Sequence, residues 1–105
     1  MAKTVALSAT SDGNNTVVPA ITGKKIRVKG YVLNVNAAGT VQWKSGTSTA
    51  LSGAMELVDG GGVSAPLAGP KDGFWFETAS GEALVITTAA GVDALGHVTY
   101  ETIQA

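Results

Sequence analysis

Charge is scarce in this chain. Only 15 of its 105 residues are Lys, Arg, Asp or Glu, whereas an average soluble domain of this length carries about 26. Cysteine is absent, which excludes disulfides and thiolate metal sites, so nothing covalent staples the fold. Aromatic residues are few, two each of Trp, Tyr and Phe, so the core must be thin. No stretch approaches the roughly 18 apolar residues of a membrane span. The opening MAKTVALSATSDG lacks the apolar run of a signal peptide, which predicts synthesis in a cytoplasm. A net charge of −1 provides no field that would draw in nucleic acid or an anionic membrane, and neither is expected as a partner.

What the chain does have is period-two alternation, with no convincing 3.6-residue stripe. Val5, Leu7 and Ala9 alternate up to the turn signal Ser11-Asp12-Gly13-Asn14-Asn15. Residues 16–21 follow as a strand containing Pro19, which places it at an edge or breaks it there. From Lys24 to Val35, Ile26 and Val28 share one parity. After Gly30 the apolar parity passes to Tyr31, Leu33 and Val35. That slip predicts a β-bulge, or a strand crossing between sheets, with Gly30 as the bend.

Further strands are expected over 40–45, 55–58, 63–67, 74–78, 82–88 and 97–103, with a Ser80-Gly81 hairpin. Residues 89–95 read as a loop or a single helical turn. The result is one all-β domain over residues 1–105, a small β-sandwich or jelly-roll-like barrel of about eight strands. Residues 1–22 serve as an N-terminal arm or as edge strands.

Chemistry-bearing constellations are weak. His97 stands alone, whereas triads and zinc sites need a second ligand or an orienting group. Glu77 and Glu82 flank a turn, where a solvated rim is the plainer reading than a glycosidase pair. Asp12-Gly13-Asn14-Asn15 lacks the closing Glu of a calcium loop. Gly60-Gly61-Gly62 is followed by neither the Lys nor the helix of a phosphate loop. No catalytic residue, metal ligand or cofactor is therefore assigned, and the chain reads as non-enzymatic.

Two surface features stand out. Lys25, Arg27 and Lys29 form a positive stripe on one strand face, suited to solvent or to an acidic protein patch. Phe74-Trp75-Phe76 makes both faces of its strand aromatic. With Phe74 and Phe76 in the core, Trp75 lies outside, at an interface or under a loop. Trp75, Tyr31, Lys25, Arg27 and Lys29 are the candidate interface residues.

Five segments carry a resemblance: Ile-Arg-Val-Lys-Gly-Tyr-Val-Leu (26–33), Thr-Val-Gln-Trp-Lys-Ser-Gly (40–46), Leu-Ser-Gly-Ala-Met-Glu-Leu (51–57), Phe-Glu-Thr-Ala-Ser-Gly-Glu-Ala-Leu (76–84) and Gly-His-Val-Thr-Tyr-Glu (96–101). Together they make the run from Lys25 to Glu101 resemble small bacteriophage virion structural proteins, in particular capsid decoration (cement) proteins. The resemblance implies a jelly-roll-like homotrimer on the capsid surface, bound to the major capsid protein, and no catalytic residues. A tail, baseplate or head-fibre component is the alternative. So is a small carbohydrate-binding module that uses Trp75 as a stacking platform.

Overall fold

The computed structural model describes residues 3–66 and 73–104. Alternation becomes strand throughout, and the described residues contain no helix. Among the described residues ten strands run in chain order: β1 (Lys3–Ala9), β2 (Gly13–Val18), β3 (Lys24–Val35), β4 (Gly39–Ser45), β5 (Thr49–Ala50), β6 (Met55–Leu57), β7 (Gly62–Ala65), β8 (Phe76–Glu77), β9 (Leu84–Thr88) and β10 (Ala94–Gln104). They form two antiparallel sheets packed face to face as a β-sandwich. The first has the order β1-β10-β3-β7, with β8 also on β3; the second has the order β2-β9-β4-β5, with β6 also on β4. The unexpected strand is β5, two residues long and too short to show a period, while the strand expected over 74–78 is reduced to the two residues of β8. Of residues 89–95, the segment from Ala89 to Val92 is a turn closed by Val92 N–H on the Ala89 carbonyl at 3.0 Å, and Ala94 and Leu95 already belong to β10.

The core lies between the sheets. Leu7, Ile26, Val28, Leu33, Val35 and Val98 come from the first sheet, and Val18, Val41, Trp43, Leu84 and Ile86 from the second. Three of the few aromatic residues meet there. Trp43 stands edge-on to Tyr31 with centroids 5.1 Å apart, and Phe76 lies 5.8 Å from Trp43. Burial raises the Tyr31 hydroxyl pKa, and the adjacent Trp43 indole partly offsets this. That indole N–H is buried without a fully formed hydrogen bond.

The parity slip in β3 is a bulge. Gly30 pairs with Thr99 and Val28 with Tyr100, which leaves Lys29 as the extra residue. Ile26 and Val28 before the bulge, and Tyr31, Leu33 and Val35 after it, thus all face the core. Gly30 does not have a positive φ, so no left-handed turn is required. Two expectations are corrected. Tyr31 is only 8% exposed and belongs to the core, not to an interface. Phe74 lies outside, because the strand begins only at Phe76, and its ring sits 4.5 Å from the Arg27 guanidinium.

The expected Ser80-Gly81 hairpin is instead a crossover from the first sheet to the second, since β8 pairs with β3 and β9 with β2 and β4. Side chains satisfy the backbone that leaves the ladders. Thr78 Oγ1 accepts from Ile26 N–H at 3.0 Å. Buried Ser45 Oγ accepts from Ala79 N–H at 2.9 Å and donates to Glu82 Oε1 at 2.5 Å. Ser52 Oγ accepts from Trp43 N–H at 3.0 Å, sealing β4 between β5 and β6. Within the Gly60-Gly61-Gly62 run, Gly62 is required by close approach, because a Cβ there would stand 2.5 Å from the Leu33 carbonyl oxygen.

Candidate functional site

The bulge divides the outer face of the first sheet into a charged end and an uncharged end. At the charged end, Glu77 Oε2 accepts from Arg27 Nε at 2.8 Å, and Lys25 Nζ lies 3.5 Å from Glu77 Oε1. The Arg27 hydrogen bond, aided by the field of Lys25, holds the Glu77 carboxyl below the usual carboxylate range despite some desolvation. Lys29 Nζ donates to the Gly73 carbonyl and lies 3.9 Å from Glu101, with only 9% of its side chain exposed. The three cations of the stripe thus stand against two carboxylates. Arg27 and Lys29 are also largely covered by the chain at Gly73–Glu77. The stripe is an internally paired patch, not an open cationic surface.

Beyond the bulge, register aligns three outward rows. Ser8, Leu95, Asn34 and Gly62 form one; Ala6, His97, Val32 and Ser64 the second; Thr4, Thr99 and Gly30 the third. None is Lys, Arg, Asp or Glu, and His97 is the one imidazole among them. Val32 and Leu95 are exposed. Where Gly30 lacks a side chain, the face dips into an open depression of about 150 Å³ bounded by Val32, His97, Thr99, Ser64 and Pro66. Trp75 stands at the Pro66 side. Its backbone N–H bonds to the Val28 carbonyl and its indole N–H to the Pro66 carbonyl at 2.9 Å. The ring is therefore held in place and remains 49% exposed, outside the core as expected, although Phe74 is outside with it and strand parity does not set the position.

The other sequence candidates do not converge. Glu77 is engaged by cations on the first sheet, and Glu82 by Ser45 at the crossover. The Asp12–Asn15 segment, expected as a turn, enters β2 at Gly13, and its polar side chains are engaged. Asn15 bonds Ser11 and Gly13, and Asp12 accepts from Gly91 N–H at 3.0 Å. Among the described residues, no group of three His, Asp or Glu side chains is placed to hold a metal ion.

Sequence reasoning did not find the uncharged face as a unit. It assembles residues from four strands, and only pairing register reveals that the charges of the described residues avoid it. No family model and no curated protein matches the chain.

Proposed function

We propose that the chain is a non-enzymatic virion structural protein, a capsid decoration protein of jelly-roll-like build. It associates with its own copies and binds the outer head surface, where it stabilises the packing of the major capsid protein. The uncharged end of the first sheet's outer face carries this reading. Desolvating charges costs far more than desolvating Val, Leu, Thr and Ser, and interface cores are correspondingly depleted of charge. The fixed, half-exposed Trp75 beside that face is the kind of rigid aromatic that anchors contacts. The resemblance in the segments from Ile26 to Glu101 points the same way. Lys25, with 36% of its side chain exposed, is the cation of the stripe best placed to steer encounter with an acidic capsid patch, an effect that salt weakens.

The test is to mix purified protein with phage heads that lack it, then measure co-sedimentation and the temperature at which the heads break. Saturable binding with a raised breakage temperature is expected. Protein that stays in the supernatant contradicts the proposal, and recovery with tails would move it to the tail. The exposed Trp75 ring also favours a second reading, a glycan platform. Retention on a polysaccharide column that is lost in Trp75→Ala would support that one instead.

A further inference from the structure

The two sheets expose four edges, and three of them are protected. The β7 and β8 edge is made of strands of four and two residues, and the β5 and β6 edge of two and three. β2 is interrupted by a register shift between Thr16 and Val18 and is followed by Pro19. Short strands, bulges and prolines are the usual means of stopping another chain from adding to a sheet. The edge formed by β1 has none of them. β1 runs seven residues, keeps register with β10 over its whole length and contains no proline. Its only charge is Lys3, at one end. Among the described residues, no strand pairs with its other side.

A second feature lies on the same edge. Between β1 and β2 a groove of about 100 Å³ opens, lined by Ala6, Leu7, Ala9, Asn15, Thr16 and Val17. There the core reaches the surface between the sheet margins.

We infer that the free edge of β1 pairs antiparallel with β1 of a second copy, about a two-fold axis at Ala6. The strand is self-complementary in this register. Side chains keep to their own face only when the axis passes through a residue, since an axis between residues sets inward groups opposite outward ones. Of the possible centres, Ala6 alone pairs all seven residues. Val5 then faces the partner's Leu7, Thr4 the partner's Ser8, and Lys3 the partner's Ala9. No like charges meet, small side chains face each other outside, and apolar ones continue the core. Half-buried Val5 gains cover, and the partner strand lies across the mouth of the groove.

The two first sheets become one ten-stranded sheet, with the path β7-β3-β10-β1 continued by its symmetry mate and β8 on β3 in each copy. The uncharged outer rows of both copies then join into a single platform. Such an isologous contact closes after two copies, in place of the three-fold arrangement that the family resemblance implies. It is independent of what the platform binds.

The absence of cysteine makes the register directly readable. Directly opposed residues in an antiparallel pair have Cα atoms about 4.5–5.5 Å apart, within the span that a disulfide bridges. Ala6→Cys is therefore expected to give a covalent dimer under mild oxidant. Thr4→Cys places its two thiols about four residues apart along the strands, roughly 13 Å, and is expected to stay uncrosslinked. Mixing Thr4→Cys with Ser8→Cys should restore crosslinking as a heterodimer. By light scattering, wild type should be dimeric. Ala6→Lys, which sets two like charges face to face on an exposed position, should raise the dissociation constant at least tenfold with an unchanged circular dichroism spectrum. A strictly monomeric or trimeric wild type overturns the inference, as does crosslinking of Thr4→Cys as readily as Ala6→Cys. Capture of a capsid strand by an otherwise monomeric protein would overturn it too. Failure to bind heads leaves each of these readouts intact.

Discussion

Gly96 lies in the central pair of the first sheet, opposite Leu33 on β3. Its φ is +148°, a conformation that side chains disfavour. A Cβ there would overlap the Val32 carbonyl oxygen and stand 2.8 Å from the Val32 carbonyl carbon and 3.0 Å from Leu33 Cα. All three neighbours are backbone, so no rotamer change relieves the clash. Gly96→Ala must either strain φ, at about 1–3 kcal/mol, or part β10 from β3 and open the Leu33 and Val98 packing beneath. We expect a loss of about 3 kcal/mol or more, from a total that for domains of this size is about 5–15 kcal/mol. With a urea m-value of about 1–3 kcal/mol/M, the unfolding midpoint should fall by about 1 M or more. Gly53→Ala is the control. A Cβ there meets nothing within 4 Å and φ is not positive, so its change should stay within about 0.5 kcal/mol. Equal midpoints for the two variants would refute the close-approach argument.

Ser45→Ala removes both the acceptor for Ala79 N–H and the donor to Glu82 at a buried site. A loss of about 1–3 kcal/mol is expected in the same assay. The Glu77 carboxyl is held below its ordinary range, so the folded chain takes up that proton less readily than the unfolded one. Its contribution is complete above the unfolded value of about 4.3 and is lost as pH falls through the lowered folded value. Glu77→Gln should therefore lower the urea midpoint at pH 7 and flatten its decline on the acid side. Trp75→Ala should cost no more than about 1.5 kcal/mol, since one exposed indole hydrogen bond is lost, while head binding weakens far more than stability does.

The long strands were legible because each buries one face. Alternation marked β1, β3 and β4 to within a residue, and the parity slip located the bulge. Tyr31 was expected at an interface, although its own parity placed it in the core. It shares parity with Leu33 and Val35, and a bulge that keeps one face apolar must carry it into the core. Other features depend on partners distant in sequence. Ser80-Gly81 has the composition of a hairpin turn, and the crossover follows only from Thr78 and Ser45 bonding to backbone some thirty to fifty positions away. The pairing of Arg27 with Glu77 and of Lys29 with Glu101 spans comparable separations, so the basic stripe read as open. Composition announced the shortage of charge, while only register showed that one end of the first sheet's outer face is left without any.

The central claim is that this uncharged face is the surface the protein buries in its assembly. The most direct measurement is the affinity of Val32→Asp, Leu95→Asp and the double variant for heads, with Lys44→Asp on the second sheet as a matched control for added negative charge. Both altered side chains are exposed, so the fold should persist by circular dichroism. Each single variant is expected to weaken binding at least tenfold and the double variant to abolish it, with the control close to wild type. Binding that falls equally in the control, or that survives in the double variant, would contradict the account.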